Sequence, residues 1–420
     1  MKKYIEIKGL KAREILDSRG NPTVEVEITG ENAKKTASAP SGASTGIYEA
    51  LELRDLDEKR YGGLGTLKAV YNVNNIIAPR LVGENAVNQA KIDNILCTLD
   101  GTFSKQNLGA NAILPVSIAA AKLSATSQGA SLYDYIGGVK KKKMPIPMIN
   151  ILNGGRHADN NLNIQEFMIV PVNTSSFAEG IRMSVEVYNA LKNILKEKRV
   201  STAVGDEGGF APNLATDEDG FKLIEAAVKK AGYTKEDFKI AIDVAASEMY
   251  NKEEDAYIFF KTGERFTRES LLEYYLNLVE KYNIISIEDP FAEDDFESFK
   301  KITEVIGDRV NIVGDDLYTT NIQRLEKGIE VKASNAILIK LNQIGTLTET
   351  LSCIEKAQKA GYKIVISHRS GETLDDFICD LAVGVNSEYI KIGAVARGER
   401  IAKYNRLLKI EEELLENSIN

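Results

Sequence analysis

Six short apolar runs in the second half of the chain each finish on an ionisable residue. KIAIDV carries Asp243, IISIED Glu288, VNIVGDD Asp315, AILIKLN Lys340, KIVISH His368 and EYIKIG Lys391. Three carboxylates brought to one place repel unless a cation sits between them. Oxygen donors without Cys or His suit Mg²⁺ better than Zn²⁺. Taken singly, each acid could instead cap a following helix. Three on separate strands, beside two lysines on two others, favour a metal site. Lys340 and Lys391 end apolar strands, so burial and a nearby cation are expected to lower their pKa and free an amine to act as base. The alternative for either lysine is to snorkel from the rim into solvent.

Two loops add acids. VGDEGGF places Glu207 beside glycines that allow tight turns. NIQEFMIV places Gln165 and Glu166 just before an apolar run. Two glutamates from different loops can hold one proton between them and serve as general acid; apart, they are only solvated carboxylates. SHRS offers Ser367, His368, Arg369 and Ser370 as an anion clamp, since Arg meets phosphate bidentately. PSGASTG, with Ser44, is a small polar loop able to close over a phosphate, or a plain linker. The chain has two histidines, His368 and His157, the latter in NGGRHADNN.

These groups need elements to bring them together. Asp243, Glu288, Asp315, Lys340, His368 and Lys391 are spaced 45, 27, 25, 28 and 23 residues apart. The runs are apolar on both faces, as strands covered on both sides are. An eight-stranded α/β barrel uses roughly 31 residues per unit and collects catalytic groups at the C-terminal strand ends. The spacing therefore predicts a TIM-like barrel over about 140–410. Before it the texture is α+β: strands at 3–8 and 22–29 flank DSRGNP, and helices follow at 67–82, 86–98, 107–128 and 131–136. GGVKKKKMPIPM at 137–148 suits a boundary. The expected domains are 1–138, α+β, and 139–420, the barrel.

Composition narrows the function classes. Hydrophobic content of 43% and 27% charged residues are ordinary for a globular protein. A net charge of −8 without a basic stripe argues against nucleic acid as a partner. The apolar stretch NAILPVSIAAAKLSA is too short to span a bilayer, so no membrane insertion is expected. The N-terminus lacks a signal-peptide run, and three cysteines show neither a disulfide framework nor CxxC spacing. A cytoplasmic location is expected.

Longer blocks carry a family signature. EILDSRGNPTVEVE, PSGASTG, LGANAIL, NGGRHADNNLNIQEFMIVP, GDEGGFAPNL, SIEDPF, ILIKLNQIGTLTET, SHRSGET and IKIGAVARGER occur in this order, and the chain resembles the enolase family over essentially its whole length. The resemblance implies an N-terminal α+β domain and a barrel whose second strand runs antiparallel. It implies a glycolytic hydro-lyase that converts 2-phosphoglycerate reversibly to phosphoenolpyruvate with two Mg²⁺ ions, the second bound with substrate. A Lys base with Mg²⁺ stabilising an enediolate is the known pattern of the superfamily and is taken from there, not from this chain's spacing.

By motif, Lys340 resembles the base, and Glu207, with Glu166 beside it, the acid. Asp243, Glu288 and Asp315 resemble ligands of the first Mg²⁺, and Ser44 the loop serine of the second. Arg369 and Ser370 resemble the phosphate clamp, with Ser367 and His368 alongside. Lys391, Gln165 and His157 match positions that contact substrate. Two departures, Ile392 and Gly398, flank the strand of Lys391. Enolases assemble as homodimers or octamers, and the sequence does not choose between them.

Overall fold

The computed structural model describes residues 4–43, 46–138 and 140–419. Three antiparallel strands, β1 (Gly9–Leu16), β2 (Pro22–Thr29) and β3 (Lys34–Ser38), open the chain. The helix Ala110–Ser127 packs against this sheet and is buried nearly all round. The strand expected at 3–8 is displaced. Ile5 and Ile7 are buried, which gives the stretch a strand-like period. Their backbone instead pairs with the 83–86 turn (Ile7 N–H to Glu84 O 3.0 Å, Ala86 N–H to Ile5 O 2.8 Å), leaving one isolated bridge, Glu6 to Asn85. The sheet begins only at Gly9, and β3, poor in β-branched residues, gave no sequence signal.

Helices follow at Gln89–Asp100, Ala110–Ser127 and Leu132–Gly137, close to expectation. The helix expected at 67–82 is present as two α segments, Leu67–Asn72 and Ala78–Leu81, joined by a π-helical stretch at Val73–Ile77.

The remaining chain closes into an eight-stranded barrel: β4 (Ile146–Asn153), β5 (Glu166–Pro171), β6 (Phe238–Asp243) and, after a small sheet of β7 (Tyr250–Asn251), β8 (Ala256–Phe259) and β9 (Glu264–Phe266), β10 (Ile284–Glu288), β11 (Asn311–Gly314), β12 (Ala336–Ile339), β13 (Lys363–Ser367) and β14 (Tyr389–Lys391). Around the ring the order is β10-β11-β12-β13-β14-β4-β5-β6. All neighbouring pairs are parallel except β4–β5 and β5–β6. The second barrel strand thus runs backwards, as the family resemblance implied.

Alternation along the strands divides the barrel's apolar residues into two layers. Met148, Met168, Val170, Ala241, Val313, Ala336, Leu338, Val365 and Tyr389 form one compact buried cluster, contributed by seven of the eight strands, which fills the interior. Their sequence neighbours, such as Ile240, Ile242, Ile337, Ile339, Ile364 and Ile390, belong to the larger core under the helices. No helix among the described residues is long and apolar enough to cross a membrane.

Candidate active site

The interior layering fixes where the polar residues go. Side chains two positions apart on a strand share a face. Stepping two residues from the buried interior cluster leads from Met148 to Asn150, Ala241 to Asp243, Val313 to Asp315, Leu338 to Lys340, Val365 to Ser367 and Tyr389 to Lys391. On the reversed β5 the same step runs down the numbering, from Met168 to Glu166, whose Cα partner on β6 is Asp243. The polar groups are therefore the next layer of the packed barrel. All of them except Asn150 line a small cavity at the strand ends, together with His157, Gln165, Glu207, His368, Arg369 and Ser370.

Two ammonium groups organise the acids. Lys391, 2% exposed, places Nζ 3.0 Å from Asp243 Oδ2, 2.9 Å from Glu288 Oε2 and 3.0 Å from Glu166 Oε1. Lys340 pairs with Asp315. Burial alone would lower both lysines, but Asp315 and Glu288 around Lys340, and Asp243, Glu166 and Glu288 around Lys391, more than offset it. Both pKa values are raised, the reverse of the sequence expectation, because that expectation counted a cation as neighbour and not the surrounding carboxylates. Asp315 is further held by Gln343 Nε2 at 2.8 Å. Behind it, Asp289 accepts the amides of Asp315 and Asp316 at 2.9 and 2.7 Å, from a backbone at φ 42°, a costly conformation for a non-glycine residue.

Glu166 and Glu207 meet at the other side. Asn150 Nδ2 donates to both, at 3.2 Å to Glu166 Oε2 and 3.0 Å to Glu207 Oε2. His157 Nδ1 lies 3.8 Å from Glu166 and 3.6 Å from Glu207, and His368 Nε2 lies 3.5 Å from Glu207. Burial and the charge of Glu207 push Glu166 well up. Burial would raise Glu207 too, but His368 and His157 outweigh it and hold Glu207 well below the carboxylate range. Like charges this close share one proton, and here it rests on the Glu166 side. Burial lowers both imidazoles, His368 to about 4.

Arg369 is gripped by a carboxylate from the N-terminal half. Its Nη1 lies 2.8 Å from Glu49 Oε2 and its Nη2 3.2 Å from Glu49 Oε1, a fork like that used for phosphate. Ser370 Oγ accepts the amide of Ala43 at 2.7 Å, and Ser367 Oγ donates to His368 O at 3.0 Å. Gln165 donates to Asp243 at 3.4 Å. Ser44 lies outside the described residues. The structure thus brings Asp243, Glu288 and Glu166 around Lys391, Gln165 onto Asp243, Asp315 onto Lys340, and Glu207 between the two histidines. His368 faces Glu207.

Sequence reasoning missed Glu49, Asn150, Asp289, Asp316, Gln343 and Arg400. Asn150 was legible as the inward position of β4. Glu49 arrives from another domain, and no spacing rule finds it. Ile392, flagged as a departure, packs fully buried under the helices, and a Cβ at Gly398 would meet open space.

The donors suit a hard cation. Two groups of ligand atoms lie within 4.8 Å of one another among the described residues, Asp289–Asp315–Asp316 and His157–Glu166–Glu207. Glu288 Oε1 and Gln165 Oε1 are buried acceptors without a hydrogen-bond partner, a state that costs free energy unless a cation or donor meets it. Of the three expected ligands, Asp243 and Asp315 line the cavity, Lys391 bridges Asp243 and Glu288, and Lys340 pairs with Asp315; the three together are neither of these two groups.

Comparison with known families agrees with this geometry over nearly the whole chain. Residues 7–136 match the enolase N-terminal domain, and residues 141–420 match the enolase C-terminal TIM barrel domain. The family brings with it a metal cofactor and a small phosphorylated substrate, and the buried acids at this mouth could hold the metal. The chain therefore belongs to the enolase family, and its activity is that of a phosphopyruvate hydratase, a hydro-lyase.

Proposed function

We propose that the protein dehydrates 2-phospho-D-glycerate reversibly to phosphoenolpyruvate, with Lys340 as base and Glu207, with Glu166, as acid. The observation that carries this reading is the ring order. β12, which leads to Lys340, and β5, which begins at Glu166, lie four strands apart in either direction around the barrel. Removing a proton from one face of the substrate and returning one to the departing hydroxyl on the other needs base and acid on opposite walls. The glutamate pair, holding one proton, supplies the second.

Asp243, Glu288 and Asp315 would hold the first Mg²⁺, and Ser44 would join the second together with the substrate phosphate. When bound, Mg²⁺ would offset both the negative charge that builds on the substrate carboxylate and the carboxylate charge that keeps Lys340 protonated, freeing that amine to act as base. Arg369 and Ser370 clamp the phosphate beside Ser367 and His368, and Lys391, Gln165 and His157 touch the substrate. The division at 138/139 separates the domains, and the molecule works in the cytoplasm as a homodimer or octamer.

Hydrogen exchange at the substrate α-carbon tests the division of roles. Lys340→Ala should abolish exchange with solvent, whereas Glu207→Gln should retain it and lose dehydration. Equal loss of exchange in both variants would overturn the assignment.

A further inference from the structure

Arg400 has the largest side chain among the most deeply buried residues, at 0% exposure, and it contacts no substrate-facing cavity directly. Its Nη1 lies 2.6 Å from His368 Nδ1 and 2.8 Å from Arg369 O; its Nη2 lies 2.7 Å from Ser370 O and 3.1 Å from Asp206 O. A guanidinium has donors and no acceptor. The His368 Nδ1 it meets must therefore carry the lone pair, which leaves the proton of a neutral imidazole on Nε2. That nitrogen is buried, lies 3.5 Å from Glu207 Oε2 and makes no hydrogen bond among the described residues, so Glu207 is the acceptor nearest to its proton.

We infer that Arg400 is a positioning residue that locks His368 in its Nε2–H tautomer and aims that proton at Glu207. The inference rests on the reading of Glu207 as part of the acid pair. The same guanidinium ties together the loop of Arg369 and Ser370 and the loop of Asp206 and Glu207, so one side chain sets both the imidazole's orientation and the spacing of the two loops. Burying a guanidinium is costly unless its donors are met; four acceptors at 2.6–3.1 Å meet the two Nη groups here, while Nε makes no hydrogen bond and lies 3.3 Å from Glu399 Oε1. Gly393, at φ 85°, gives it room: a Cβ there would lie 2.8 Å from Arg400 Cδ and 2.8 Å from Glu207 O. His157 is the internal contrast, since its Nδ1 faces Glu166 and Glu207.

The experiment is imidazole ¹⁵N NMR on the full-length protein at neutral pH, with the two histidines assigned from a His157→Asn sample. Wild-type His368 should show the Nε2–H pattern alone. In Arg400→Met it should shift to Nδ1–H or average between tautomers, and kcat should fall roughly 10- to 100-fold with KM changed by less than about threefold. Arg400→Lys, which keeps a donor, should restore the Nε2–H signal, and serves where Arg400→Met does not fold. An Nδ1–H or mixed pattern in wild type would overturn the inference, as would an unaltered tautomer and kcat in Arg400→Met. Because the NMR pattern does not depend on turnover, failure of the proposed reaction would show separately, as an inactive wild type with the predicted tautomer.

Discussion

At the scale of single residues, the site is a balance of buried charges. Lys391 touches three carboxylates and is their only ammonium partner at hydrogen-bond distance among the described residues. Removing one partner of a buried ionic group leaves the rest uncompensated, at a cost of about 3–5 kcal/mol. Lys391→Met should therefore lower unfolding stability by that order in urea denaturation with EDTA present, and millimolar Mg²⁺ should recover part of it. His368 supplies a pH dependence. Burial pushes its pKa down to about 4 in the folded state, whereas the unfolded imidazole titrates near 6.5. Between these values the unfolded chain binds more protons. Stability is thus intact above about pH 6.5 and declines as pH falls toward 4, by on the order of 3 kcal/mol from this group. Urea denaturation at pH 7 and pH 4.5 should show a smaller pH loss in His368→Gln than in wild type.

At the scale of elements, the strands stop where the chemistry starts. The ladder of β11 ends at Gly314, β12 at Ile339 and β13 at Ser367, each one residue before Asp315, Lys340 and His368. The apolar runs announced these strands because burial on both faces leaves a continuous hydrophobic signal, and their charged ends could be seen for the same reason. Their extents were read one to three residues too long, since the ladder gives way to turns that the composition does not mark. The reversal of β5 came from family resemblance alone; periodicity carries no strand direction. Gly393 shows what a loop must supply. A Gly393→Ala variant must accept φ 85° and a Cβ 2.8 Å from both Arg400 Cδ and Glu207 O. Strain in the left-handed region is roughly 1–2 kcal/mol before the clash. The variant should be destabilised by at least that amount in chemical denaturation and should lose kcat, because the displaced atoms are those that hold Glu207 and Arg400.

At the scale of the whole molecule, the N-terminal half completes the barrel mouth. Ser41 and Gly371 exchange backbone hydrogen bonds at 2.7 and 2.8 Å, Glu49 forks onto Arg369, and buried Lys105 pairs with Glu349 at 2.9 Å. These contacts join residues hundreds of positions apart, so the sequence showed both halves but not their seam. Ala43 adds to this seam by donating its amide to Ser370 Oγ at 2.7 Å. The most direct test is formation of phosphoenolpyruvate from 2-phosphoglycerate, followed by ultraviolet absorbance with Mg²⁺ and with EDTA. The absorbance should rise with Mg²⁺, stop with EDTA and resume when Mg²⁺ is restored in excess. Folded protein that forms no phosphoenolpyruvate in the presence of Mg²⁺ would contradict the account.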